Sequence, residues 1–355
     1  MLGRLFRRKT VTILSIDGGG IRGLLAARVL ERLEQLLQER GDNRPFREHF
    51  DLIAGSSTGA LIGLGLAMPP RAGITFLKGA PAQNQSGEFS ISRICEMYNR
   101  MGSTIFPPDR FFSLRTVRQA FSQKYSAKPF ERLLHAIFGD ASLQDCRTNV
   151  LVTAYDTVRR TPHLFKQRLD RPGRDENFYL RDVARATAAA PTYFRPALIH
   201  PISADHTTTL IQEYCLIDGA VYANNPTMAA YIEARKIYPK ARRFLIVSLG
   251  SGQLHGAYQY DDIRNWGYMD WVSPMRNVPI FTIMNDAQTL VTDYQLTKLP
   301  GVQFYRINDR LDKHISEDMD DSSPQNLLAI EEFARTILQR FDGVLREIAD
   351  TLSRR

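Results

Sequence analysis

The stretch TVTILSIDGGGIRG, residues 10–23, decides the fold. Its first half is a run of aliphatic and β-branched residues closed by one aspartate, the pattern of a strand covered on both faces. Glycines at 18, 19, 20 and 23 break the run, and Leu24, Leu25, Val29, Leu30, Leu33, Leu36 and Leu37 then recur at helical spacing. The reading is a strand over 10–17, a glycine turn, and a helix over about 22–40 that Gly41 ends.

The alternation continues. FDLIAG (50–55) reads as a strand and TGALIGLGLAM (58–68) as a helix of small residues. NVLVTAYDT (149–157), TLIQEYCLID (209–218) and FLIVSLGSG (244–252) read as strands. YLRDVARATAAA (179–190) and NPTMAAYIEARKIY (225–238) read as the helices between them. Beyond 255 the pattern predicts a loop rich in Tyr and Trp, a helix over about 275–298, a strand at VQFYRI and a helix over about 324–353. Residues 69–130 are rich in Pro, Gly, Ser and Asn and read as an insertion over the site. The fold class is therefore α/β: a mostly parallel central sheet flanked by helices in three layers. A basic tail (1–9) precedes a catalytic domain (10–255), and a helical extension (256–355) packs on that domain.

Composition narrows the classes. In 355 residues, 43% hydrophobic and 24% charged exclude a disordered chain. No uncharged window is long enough to span a bilayer. The start, MLGRLFRRKTVTILSI, has the opening of a signal peptide, but its apolar run stops at Asp17 without a cleavage site. Leu2 excludes myristoylation, so the expectation is a cytoplasmic protein that begins near Met1. Cys95, Cys146 and Cys215 are odd in number and far apart, so neither a disulfide framework nor a metal site is expected. The net charge of +8 favours an anionic partner, but no nucleic-acid motif accompanies it. Arg4, Arg7, Arg8 and Lys9 interleave with Leu2, Leu5 and Phe6, which suits either a lipid interface or a solvated tail.

Three motifs carry chemistry. G-S-S-T-G (55–59), at a strand-to-helix junction, fits G-x-S-x-G with Ser57 in the centre. Gly55 and Gly59 let the backbone turn sharply enough to project the hydroxyl. D-G-G-G-I-R-G (17–23) offers bare N–H groups as an anion cradle, an oxyanion hole in an acyl hydrolase. Gly18, Gly20 and Gly23 also satisfy a dinucleotide fingerprint, but Glu48 and Asp51 precede or open the second strand, where that fingerprint wants an acid closing it. D-G-A (218–220) closes an apolar strand, and Asp218 there is either a turn former or a base. Carboxyl ends of parallel strands gather on one edge, where the three motifs would meet.

In this order the motifs closely resemble the patatin-like phospholipases, over roughly residues 11–252, and no motif position departs from the family pattern. ATAAAPTYF (186–194) and SLGSG (248–252) resemble further family segments. The resemblance implies Ser57 as nucleophile and Asp218 as base of a Ser–Asp dyad, with Gly219 following the base. It implies Gly18, Gly19, Gly20 and Arg22 as the oxyanion loop, and no cofactor. The implied activity is hydrolysis of acyl esters of membrane phospholipids, carried out peripherally at the inner face of the membrane. Some bacterial members are switched on by cyclic dinucleotides in anti-phage defence. Tyr258, Tyr260, Trp266, Tyr268 and Trp271, with Arg264 and Arg276, suit such a ligand or plain packing. Ile105, Phe106, Phe111 and Phe112 suit a lipid-facing lid or core filling. A Ser–Asp–His triad through His255 or His314, a non-enzymatic phosphate-binding module, and a homo-oligomer remain open alternatives.

Overall fold

The computed structural model describes residues 10–70, 90–106, 124–202, 211–273 and 278–355. Strand β1 (Thr10–Ile16) lies in mid-sheet, with every residue after Thr10 buried. Strands β2 (Leu52–Gly55) and β7 (Arg243–Leu249) flank it in parallel. Alternate side chains of β1 enter two separate cores, Leu14 and Ile16 on one face, Val11 and Ile13 on the other. Helix α1 (Gly23–Glu39) closes the first core with the leucine stripe read from the sequence. Helix α7 (Thr227–Ile237) closes the second through Ala230, Tyr231, Ala234 and Ile237. Two cores on one sheet make the three layers.

Strand β3 (Asn149–Asp156) continues the parallel block beyond β2, and β8 (Val302–Ile307) continues it beyond β7. The far end is mixed. Strands β4 (Thr161–Gln167) and β6 (Tyr214–Asp218) run antiparallel to β3, and β5 (Ala197–Ile199) antiparallel to β6. The sequence reading did not contain β4 or β5. Pro162 interrupts the pattern of the first, and the second has three residues. A turn makes β4: Asp156 Oδ1 accepts from Val158 N (2.9 Å) and Arg159 N (3.0 Å), folding the chain back. The long C-terminal helix divides into α11 (Pro324–Arg340) and α12 (Asp342–Ser353). Both pack on α1, where Arg28 donates to Glu331 at 2.8 and 2.6 Å. Among the described residues, no helix is long and apolar enough to cross a membrane.

One topological feature places the site. Val150 of β3 pairs with Ile53 of β2 on one side and Gln167 of β4 on the other. Further along, Ala154 pairs with Asp218 of β6 and with His163 of β4. So β4 fills one edge of β3, while β2 and β6 divide the other and point at each other. Their carboxyl ends, Gly55 and Asp218, face across the gap at Thr153. This corrects the expectation of a shared parallel edge. Asp218 arrives head-on, from a strand running the opposite way.

Candidate active site

Ser57 stands where β2 gives way to helix α2 (Thr58–Ala67), with φ 49° and ψ −124°. A residue with a Cβ holds such a conformation at a cost of about 1–3 kcal/mol, and its surroundings must enforce it. They do. A Cβ at Gly59 would lie 2.3 Å from the Ile16 carbonyl oxygen, and one at Gly55 2.5 Å from the Ala60 backbone. The two motif glycines thus let α2 press on the ends of β1 and β2, and the turn has no room to relax. The strain turns the hydroxyl across the fork toward the Asp218 carboxylate, close enough to draw its pKa down.

Asp218 is 2% exposed. Its Oδ1 accepts from Ala220 N at 2.8 Å. Burial pushes its pKa up to about 7, against the pull of the Ser57 and Ala220 hydrogen bonds. The last residue of helix α5 (Leu180–Thr187) and the turn after it hold both halves of the pair. Thr187 Oγ1 accepts from Ser57 N (2.9 Å) and donates to the Thr153 carbonyl (2.7 Å), spanning the gap in the sheet. Two residues on, the Ala189 carbonyl accepts from Asp218 N at 3.0 Å. Thr187 had no assigned role in the sequence reading, although it lies inside the ATAAAPTYF segment. A threonine in a helix gives no local sign of a partner on a distant strand. Gly219 abuts Thr153 so closely that a Cβ there would sit 2.2 Å from its Oγ1.

The glycine loop lies against the same turn. A Cβ on Gly18 would be 3.2 Å from Ser57 Cβ. The Gly18 N–H is already engaged by the Asn224 carbonyl at 3.1 Å. The N–H groups of Gly19 and Gly20 have no acceptor among the described residues. Gly20 has φ +59°, and a Cβ there would meet the Met319 carbonyl oxygen at 2.1 Å. Three distant segments fix the loop: Ser251 Oγ donates to the Gly18 carbonyl (2.6 Å), Ile21 N to Met319 O (2.8 Å), and Asn224 holds Gly18 as stated. Arg22 is buried, and its Nη1 donates to the Glu317 carbonyl at 3.1 Å. It therefore braces the loop from outside. Gly23 packs against Thr58 and Tyr98, whose side-chain oxygens bond each other.

Beneath the loop lies a buried polar network that the sequence reading lacked. Asp17 Oδ2 accepts from Arg306 Nη2 at 2.5 Å. Arg306 also donates to Ser248 Oγ (2.9 Å) and pairs with Asp293 (3.2 Å). Asp293 accepts from Asn225 Nδ2 at 3.0 Å, next to the Asn224 that holds Gly18. Burial raises the Asp17 carboxyl to about 6, although Arg306 pulls the other way. Arg306 on β8 and Asp293 on helix α10 (Pro279–Lys298) lie far outside the motifs, so no spacing rule pointed to them.

The remaining candidates fall away from the pair. His255 is exposed, and His314 is 89% exposed beside Asp312. His163 is half-buried among Phe165, Phe178 and Tyr214, on the opposite edge of β3 from Asp218. Burial lowers it to about 4. Phe106 packs on Tyr125 and Phe194, and Ile105 is half-buried, while Phe111 and Phe112 lie outside the described residues. Tyr258, Trp266 and Trp271 pack edge-on with ring centroids 5.4 and 5.0 Å apart. Tyr260 and Tyr268 are exposed, and Arg264 pairs with Asp261 at 3.4 Å. Arg276 and the basic tail 1–9 lie outside the described residues.

The patatin-like phospholipase family profile matches residues 14–231, which run from within β1 to within α7 and include both members of the pair. Patatin-like protein 2 of Arabidopsis thaliana is 34% identical over 307 residues, covering 81% of this chain and 71% of that protein. Patatin-like protein 3 of the same plant is 30% identical over 354 residues, covering 93% and 81%. The probable inactive patatin-3-Kuras 1 of Solanum tuberosum is 26% identical, covering 93% and 87%. Resemblance to that protein shows that likeness along the chain does not by itself bring catalysis. The chain belongs to the patatin-like phospholipase family, a family of lipid acyl hydrolases.

Proposed function

We propose that this protein hydrolyses the fatty acyl esters of membrane glycerophospholipids through a Ser57–Asp218 dyad, acting peripherally at the inner face of the membrane. One observation carries the reading: a strained serine turned toward a buried carboxylate that burial raises to about 7. An ordinary carboxylate is a feeble base toward an alcohol, and a pKa near the working pH is what general-base catalysis needs. Asp218 takes the Ser57 proton as Oγ attacks the ester carbonyl. The N–H groups of Gly19 and Gly20 receive the oxyanion, assisted by the positive end of α2. The proton passes from Asp218 to the departing glycerol oxygen, leaving an acyl-enzyme. Water gives a proton to Asp218 and attacks the acyl carbonyl, and Ser57 regains its proton as the fatty acid leaves.

The test is fatty acid released from phospholipid vesicles by the wild type and by Ser57→Ala. Release by the wild type alone supports the reading; equal release sinks it. His255→Asn and His314→Asn are expected to lose less than about tenfold, since a general base contributes 10²–10⁴. A larger loss in either restores the triad.

A small apolar cavity lies close to the pair, lined by Leu61, one turn along α2 from Ser57, and by Ile94, Met97, Phe130, Leu133 and Ile137. It is too small as it stands for a fatty acyl chain and marks the direction in which one would enter by displacing these side chains. Leu61→Phe, which fills that space, is expected to lower hydrolysis of long-chain relative to butyryl esters by about tenfold. An unchanged ratio places the chain elsewhere. The activation by cyclic dinucleotides that the resemblance implies is checked in the same vesicle assay. Constant activity across a nucleotide panel removes it.

A further inference from the structure

Helix α10 is built inside out. A helix on a globular surface normally turns its apolar stripe inward. Here the exposed large residues of α10 are Ile280, Ile283, Met284, Leu290, Val291 and Tyr294, between 38% and 65% accessible. Along its middle it turns Thr282, Asn285, Gln288, Thr289, Thr292 and Asp293 toward the body, while Pro279 and Leu296 bury its two ends and Phe281 is half-buried. Asn285 Oδ1 and Gln288 Oε1 are out of water with no donor among the described residues. Withdrawing such groups unpaired costs free energy, and so does leaving six large apolar side chains wet. Asp293, bonded to Asn225 and Arg306, and Leu296, buried in the second core, hold the helix in this rotation. The six apolar side chains are thereby kept outward, and their exposure is explained if the outer face is covered.

We propose that a second copy of this chain covers it, with α10 pairing antiparallel across a twofold axis at Ala287. Measured from Ala287, the apolar residues stand at −7, −4, −3, +3, +4 and +7. A twofold at that point sets Ile280 against Tyr294, Ile283 against Val291 and Met284 against Leu290, the same patch meeting itself. The smallest residue of the stripe falls where the backbones come closest. Area agrees. Of the large hydrophobic residues exposed among those described, nine of thirteen lie between Tyr260 and Tyr294. The six stripe residues present on the order of 500 Å², and Tyr260, Tyr268 and Met269, on the two short helices that precede α10, bring the exposed apolar surface to the order of 1,000 Å². A stable pair needs about 800 Å² from each partner. The outer face carries no basic band of the kind that seats a helix on anionic lipid; its charged residues are Asp286 and Lys298. The inference does not depend on the proposed reaction, because its test uses no substrate.

The experiment is light scattering on the purified full chain, followed by cysteine cross-linking. The wild type is expected to have twice the 40.4 kDa chain mass at micromolar concentration. Leu290→Glu with Val291→Glu, both on the exposed face, is expected to halve that mass without changing the circular dichroism spectrum. Ala287→Cys is expected to form a covalent dimer on mild oxidation, whereas Ile280→Cys and Tyr294→Cys cross-link only when mixed. Leu328→Cys, 57% exposed on α11, is the control that forms no covalent dimer. A monomeric wild type overturns the proposal, as does a double-Glu variant that remains dimeric. Self-linking of Ile280→Cys overturns the antiparallel register. A monomer whose vesicle binding is lost in the double-Glu variant gives the face to lipid instead.

Discussion

Asp218→Asn is expected to slow ester hydrolysis about 10⁴-fold or more, and adding Ser57→Ala to it to cost little further. The two side chains share one proton in one step. Once either is gone, the other has nothing to act on, and the residual rate comes from binding and the Gly19 and Gly20 donors. Kinetics with a soluble ester give the comparison. Multiplicative losses in the double variant would mean that the residues act separately, and less than tenfold loss in Asp218→Asn would end the dyad. The wild type also has a pH signature. The base works deprotonated, and its pKa stands at about 7, so kcat/KM rises with pH up to about 7 and then levels. A limb near 4 would show that Asp218 is an ordinary carboxylate in solution.

The same substitution is expected to stabilise the fold in alkali. Burial lifts Asp218 from 3.8 to about 7, and each pH unit is worth about 1.4 kcal/mol, so the ionised carboxylate costs the folded protein on the order of 4 kcal/mol. The sign follows from proton binding. Between about pH 4 and 7 the unfolded chain has released this proton and the folded chain has kept it, so wild-type stability falls as pH rises through that window. Asparagine does not titrate. The gain in Tm of Asp218→Asn over wild type is therefore expected to be near zero at pH 4 and to reach several °C above pH 7. Asp17, raised to about 6, adds a similar slope to both proteins and cancels in the difference. A Tm difference that is flat across pH would contradict the burial assigned to this carboxyl. The residue best placed for chemistry is thus one that the fold tolerates at a loss.

Much of this was legible locally. The leucine stripe of α1, the small residues of α2 and the glycine turns at 18–20 and 55–59 write their conformations in adjacent letters. The parallel block followed from strands alternating with helices. What stayed hidden depends on direction and distance. An apolar run shows that residues 214–218 form a strand, but not which way it points, so the fork at Thr153 could not be read. The partnerships of Thr187 with Ser57 and of Arg306 with Asp17 join segments with no shared pattern. The assignment of Gly18 as a donor had the right loop, but only folding shows that its N–H belongs to Asn224. The inverted face of α10 was invisible for another reason. Apolar periodicity reveals that a stripe exists and is silent about whether it looks in or out.

The head-on approach of β2 and β6 has a consequence for biosynthesis. Ser57 leaves the ribosome early, on the first βαβ unit. Its base arrives only after β3 has paired along both edges and the chain has turned back to lay down β6. Until β6 docks, the nascent polypeptide has an alcohol without a proton acceptor. The proposed dyad would therefore be completed only by a late strand-pairing step, and a partly folded chain would be inert.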